Sequence, residues 1–190
     1  LYTNAKSDTD KNEMLELLKE ISTGFNATID NLNEVVALKN QSNIKLEYLD
    51  LHKYIEKTTD LLVLETKTAN AVVSNNIPTG TTVLANKAYL ESILLNLLSN
   101  AIKYRYPGRT PRIEFDSVTE DKEAVFSIKD NGLGIDLKKH KNDLFGMHKT
   151  FHQNPDAKGI GLFITKFQVE EMGGYIEVES EPGTGTTFRI

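Results

Sequence analysis

Ser127–Lys139 reads SIKDNGLGIDLKK: an alternating apolar run delivers an acid, Asp130, to the expected end of a strand, and Gly132 and Gly134 follow within four residues. The pattern places a hydrogen-bond acceptor beside backbone that can bend freely. By itself it identifies no ligand. Upstream, in NKAYLESILLNLLSNAIKYRY, Asn96, Asn100 and Lys103 fall at spacings of four and three, so they share one face of an otherwise apolar helix. Amides on such a face either satisfy neighbouring backbone, as buried amides usually do, or act on a ligand. Lys103 favours the ligand, because an amide oxygen together with an ammonium suits a metal-bound polyphosphate.

Two further glycine pairs follow, Gly159 and Gly161 in KGIGLFITK and Gly183 and Gly185 in EPGTGTTF. A glycine-rich turn that opens into a helix presents unpaired N–H groups to an anion, and the helix dipole adds to the attraction. Ordinary turns explain any one pair. Three pairs in this order, after an asparagine-bearing helix, form a more specific set.

These residues need a scaffold, and the periodicity of the chain supplies one. From Asp10 the residues Met14, Leu18, Ile21, Phe25, Leu32 and Val35 step by threes and fours, with Thr28 in the missing place. Leu17, Ile29 and Val36 widen that stripe, so a long helix is expected up to Asn43. Its face suits a helical bundle, although an amphipathic helix packed on its own domain has the same pattern. After NQSN the pattern changes: IKLEYLDL alternates as a strand, HKYIEKTTDLLVLET as one helix, and NAVVSNNI as a second strand before a turn at Pro78 and Gly80. Asn86 is the expected N-cap of the asparagine-bearing helix, whose stripe of Leu90, Ile93, Leu94, Leu97 and Leu98 must be buried and which Pro107 and Gly108 should end. RIEFDSVTE with EAVFSIKD, and YIEVESEPGTGTTFRI by itself, read as hairpins. The expected fold class is α+β: a two-layer α/β sandwich, with a mixed sheet covered by helices on one face, preceded by a long bundle-type helix.

Composition agrees with one globular domain and an appendage: 190 residues, 39% of them hydrophobic. The chain has no cysteine, which excludes disulfides and thiolate metal sites. A net charge of −5 with no basic stripe argues against nucleic acid as a partner. No run of residues here reads as a membrane span or signal peptide, which fits a cytoplasmic location, or the cytoplasmic part of a sensor anchored through segments further upstream.

The ordered motifs NLLSNAIKY, DNGLGID, KGIGLFITK and EPGTGTTFRI resemble the N box and glycine boxes of the catalytic, ATP-binding domain of sensor histidine kinases. That family shares the Bergerat ATP-binding fold with gyrase, mismatch-repair and chaperone ATPases. The resemblance covers residues 44–190, and residues 1–43 resemble the end of the first helix, the loop and the second helix of the dimerisation and phosphoacceptor hairpin. It implies ATP and Mg²⁺ as ligands. Asp130 would accept the adenine amine, Gly132, Gly134 and Ile135 would line the base, and Tyr104 would pack on it. Asn100 would hold Mg²⁺ and Lys103 would contact phosphate. Lys158, Gly159, Ile160, Gly161 and Leu162 would receive the phosphates, and Thr186 would also bind the nucleotide. Phe145 and Phe151 resemble the F box at an altered spacing, and His152–Lys158 would be the ATP lid.

Asn96 stands where water-hydrolysing relatives carry a glutamate, and an amide cannot act as a general base. Asn96 and Lys103 are therefore the expected catalytic residues of a transfer to histidine rather than to water. The family's acceptor lies in an H box, a pattern that His52, His140, His148 and His152 all lack. The expected acceptor thus lies upstream of Leu1. The implied partners are a second copy in a full-length homodimer and the receiver domain of a response regulator. The alternative readings are a serine-directed kinase or ATPase, or a non-catalytic nucleotide-sensing module of the same fold.

Overall fold

The computed structural model describes residues 44–120, 123–140, 143–146 and 159–190. The expected helix ending at Asn43, Phe151, Lys158 and the run His152–Lys158 lie outside them.

The chain enters through β1 (Glu47–Asp50), and Asp50 both ends the strand and caps α1 (Leu51–Leu61), accepting from Lys53 N–H at 3.1 Å. The single helix expected over His52–Thr66 is two, because α1 stops at Leu62 and α2 runs Val63–Ala69. The cause lies in adjacent threonines. The hydroxyls of Thr58 and Thr59 donate to the carbonyls of Tyr54 and Ile55, a back-bonding that bends helices, and Leu62 N–H is shared between the carbonyls of Thr58 and Thr59. The break keeps Leu62 buried.

Next come β2 (Val72–Asn75) and β3 (Thr82–Ala85), then α3 (Lys87–Lys103), capped by Asn86, whose Oδ1 accepts from Tyr89 N–H at 3.2 Å. The same side chain donates through Nδ2 to the carbonyl of Lys45 at 3.1 Å. α3 ends at Lys103, four residues before Pro107, with Tyr104 as its C-cap. β4 (Arg112–Glu120), β5 (Glu123–Asp130), a single turn α4 (Leu137–His140), α5 (Gly161–Glu171), β6 (Glu177–Glu181) and β7 (Gly185–Arg189) complete the described chain.

The main sheet is mixed, in the order β2-β4-β5-β7-β6, with β2 parallel to β4 and the other neighbours antiparallel. Ile113, Phe115 and Ile128 are buried against the helices, while Glu114 and Lys129 pair in register between them. α1 and α5 both pack against α3, which lies on β5. The predicted stripe of Leu90, Ile93, Leu94, Leu97 and Leu98 is buried throughout, at roughly 1.5–3 kcal/mol per large side chain. This is the expected α+β arrangement. A separate two-stranded ladder, β1 antiparallel to β3, was not expected, because β3 is only four residues long and carries no strong strand signal.

Candidate functional site

β5 ends at Asp130, as the sequence pattern requires, and its carboxylate turns back onto the chain. Oδ1 accepts from Gly132 N–H at 2.8 Å and from Thr186 N–H at 3.3 Å. Burial pushes the carboxyl above its ordinary range, and the two N–H groups oppose that shift without cancelling it. Among the described residues Oδ2 has no hydrogen-bond partner, so it is the oxygen left for a ligand.

The glycines around Asp130 permit close backbone packing. Gly134 has φ +66°, and a Cβ there would overlap the Glu181 carbonyl. Gly185, at φ +134°, lies against the carbonyl of Asp130 itself. A Cβ on Gly132 would meet the carbonyl of Tyr104, which accepts from Leu133 N–H at 2.9 Å. The acid-bearing turn is thereby pressed on the end of α3. Ser180 links the turn to the last hairpin: its hydroxyl oxygen accepts from Ile135 N–H at 2.8 Å and lies 2.9 Å from Thr186 Oγ1.

α3 carries the amides to the same place. Asn100 Nδ2 donates to Asn96 Oδ1 at 3.3 Å, and Asn96 Nδ2 donates to the buried Thr165 hydroxyl of α5 at 2.8 Å. No described residue donates to Asn100 Oδ1. Gly161 lets the helices approach, since a Cβ there would overlap the Asn96 side chain. The Lys103 ammonium lies 5.7 Å from the centre of the Tyr104 ring, and burial raises the phenol of Tyr104 above its ordinary range.

α5 begins at Gly161, after Gly159 in the left-handed region at φ +66°. Its N-cap, Ile160, offers no side-chain hydrogen bond, and among the described residues the N–H groups of Gly161 and Leu162 have no backbone partner, so they are placed to meet an anion at the positive end of an 11-residue helix. Phe145 is set against this helix, with the Lys166 ammonium 5.4 Å from its ring centre.

Asn96, Asn100, Lys103 and Tyr104 thus gather at the C-terminal end of α3, with the Asp130 turn on Tyr104 and the start of α5 against Asn96, while Ile135 and Thr186 stand with the Asp130 turn and Phe145 stands against α5. Sequence reasoning missed Thr165, Ser180 and Arg109. Arg109 donates to the carbonyls of Asn131 at 2.8 Å and Gly183 at 3.0 Å, stapling the first glycine turn to the last. Thr165 falls four residues after Gly161 on the helix, the one signal that could have placed it beside Asn96.

Among the described residues no cluster of His, Cys, Asp or Glu could hold a metal ion. Mg²⁺ nevertheless suits the site: it takes hard oxygen ligands, keeps several waters and is commonly bound by one or two protein groups plus phosphate. Asn100 Oδ1 is such an oxygen. No helix among the described residues is long and apolar enough to cross a membrane.

A mixed sheet under helices, a half-buried acid at a strand end and paired helix amides make up the candidate site. Residues 85–190 match the family of histidine kinase-, DNA gyrase B- and HSP90-like ATPases, and the chain belongs to it. It is similar to the sensor protein RprX of Bacteroides fragilis, 26% identical over 156 residues, covering 80% of this chain and 30% of that protein. The methanogenesis regulatory histidine kinase FilI of Methanothrix harundinacea is 36% identical over 104 residues, 55% of this chain and 12% of that protein. The chain therefore spans less than a third of either relative. Its fold is that of the mycobacterial sensor histidine kinase MprB, with a TM-score of 0.64 at 22% identity over 75% of this chain and 95% of that one.

Proposed function

We propose that residues 44–190 form the catalytic domain of a sensor histidine kinase, which binds ATP with Mg²⁺ and transfers the γ-phosphoryl to a histidine for relay to a response-regulator aspartate. The observation that carries this reading is the convergence on α3: the Asp130 turn packs on Tyr104 at its end, and the start of α5 packs on Asn96 within it. The relatives named as sensor proteins and histidine kinases support it.

Asp130 selects adenine by accepting its amine, since guanine presents a carbonyl at the equivalent place. Asn100 holds Mg²⁺ through Oδ1, and Lys103 contacts phosphate. When bound, the ion neutralises charge on the phosphates of the nucleotide. The N–H groups at the start of α5 add fixed positive dipoles, so the protein's share of the work is positioning and electrostatics. Asn96 orients and cannot deprotonate water, which directs transfer to an imidazole that is already nucleophilic near neutral pH. A homodimer of the full-length protein would supply the neighbouring helical hairpin, and the receiver domain of a response regulator would take the phosphoryl group.

Labelled ATP tests this. The chain should bind ATP without labelling itself, whereas a longer protein carrying an H-box hairpin ahead of Leu1 should acquire acid-labile, base-stable label. Label on His52, His140, His148 or His152 would place the acceptor in this chain and overturn the assignment.

A further inference from the structure

Ile128 of β5 pairs with Phe188 of β7, and both are buried. Side chains alternate along a strand, so Asp130 and Thr186, two residues further along their strands at the same end of the ladder, stand side by side on that face. Thr186 N–H donates to Asp130 Oδ1 at 3.3 Å, and Ser180 of β6 pairs with Thr186 from the other side. The buried Thr186 hydroxyl thus has two neighbours that could take its proton, the Asp130 carboxylate and the Ser180 oxygen.

The contacts of Ser180 decide between them. A serine hydroxyl has one proton to give and two lone pairs to fill. The Gly185 carbonyl, 2.9 Å from Ser180 Oγ, can only accept, and Ile135 N–H, 2.8 Å from it, can only donate. Ser180 therefore gives its proton to Gly185 and one lone pair to Ile135, which leaves one lone pair for Thr186 Oγ1 at 2.9 Å. Thr186 must be the donor. Were Ser180 to donate to Thr186 instead, its oxygen and the Gly185 carbonyl would face each other with no proton between them, and one hydrogen bond would be lost.

We propose that Ser180 is a positioning residue for base recognition: by accepting from the Thr186 hydroxyl it keeps that proton off Asp130 and leaves Oδ2 open to an amine of the base. The inference rests on the ATP reading of the site. Without Ser180 the Thr186 hydroxyl has the neighbouring carboxylate as its partner, and a hydrogen bond to a charged acceptor is among the stronger ones. An incoming amine would then have to displace it.

Ser180→Ala should weaken ATP binding about tenfold by calorimetry, because the amine must now compete with a charge-assisted bond. Adding Thr186→Val to Ser180→Ala removes the freed hydroxyl, and ATP affinity should rise again, whereas Thr186→Val in the parent should bring no gain. The lost Ile135 contact is common to both proteins lacking Ser180, so structural damage alone cannot produce that rise. The Asp130 carboxyl, followed by NMR without nucleotide, should titrate lower in Ser180→Ala than in the parent and move back up in the double variant. An unchanged ATP affinity in Ser180→Ala overturns the proposal. So does a double variant that binds no better than the single one, or an Asp130 titration indifferent to Ser180. A parent protein that binds no ATP, with the Asp130 titration shifting as expected, would instead refute the ATP reading beneath it.

Discussion

Gly134 lies directly against the backbone carbonyl of Glu181, at φ +66°, so that the acid-bearing turn and the end of β6 approach with no room for a side chain. Gly134→Ala must both adopt a strained dihedral and push back a main-chain oxygen. The expected loss is about 2–4 kcal/mol, visible as a lower urea midpoint with an unchanged slope. A midpoint equal to that of the parent protein would show that the two segments are free to separate.

Asp130→Ala should weaken ATP binding by about one to two orders of magnitude, since a hydrogen bond to a charged group contributes roughly 1.5–3 kcal/mol. Calorimetry against ATP and GTP checks this, and the preference for ATP should shrink in the variant. An unchanged ATP affinity would remove Asp130 from the adenine site.

The raised pKa of Asp130 has a definite sign in stability. The folded state binds this proton more readily than the unfolded one, so the group's contribution is fully present below the unfolded value, near 3.8, and is lost as pH rises through the higher folded value. Asp130→Asn keeps an acceptor for Gly132 and Thr186 without the charge. Its stability relative to the parent should therefore rise as pH increases through that window, as read by urea unfolding across a pH series. ATP affinity of the parent should fall over the same window on acidification, because the protonated acid is the poorer acceptor.

Arg109→Ala removes the two hydrogen bonds that join Asn131 to Gly183. Because the guanidinium is exposed, the global cost should be only about 1 kcal/mol. The local effect should be larger: the Gly183 amide, which donates to the Leu133 carbonyl at 2.7 Å, should exchange faster with solvent. Unchanged exchange at that amide would show that the turns hold each other without the clamp.

Much of the fold was legible because its signals are local. The stripe on α3, its Asn86 cap and the strand ending in Asp130 follow from residue types at fixed spacing, and all three are where periodicity put them. The break at Leu62 was not, since it depends on threonine hydroxyls competing for helix carbonyls rather than on a proline or glycine. β3 was missed because its pairing with β1 is a long-range property. The same division holds at the site. Asn96, Asn100 and Asp130 stood out by motif, whereas Thr165 and Arg109 acquire meaning only when α5 and the last hairpin arrive from distant sequence.

Asn86 uses both ends of its amide, one to hold the start of α3 and the other to hold the Lys45 carbonyl at the chain's entry. The entry segment and the helix bearing Asn96 and Asn100 are thus yoked at a single side chain. The backbone at Lys45 therefore has a direct hydrogen-bonded link to the first turn of α3. Mechanically, the domain has its handle on the same rod as its working end.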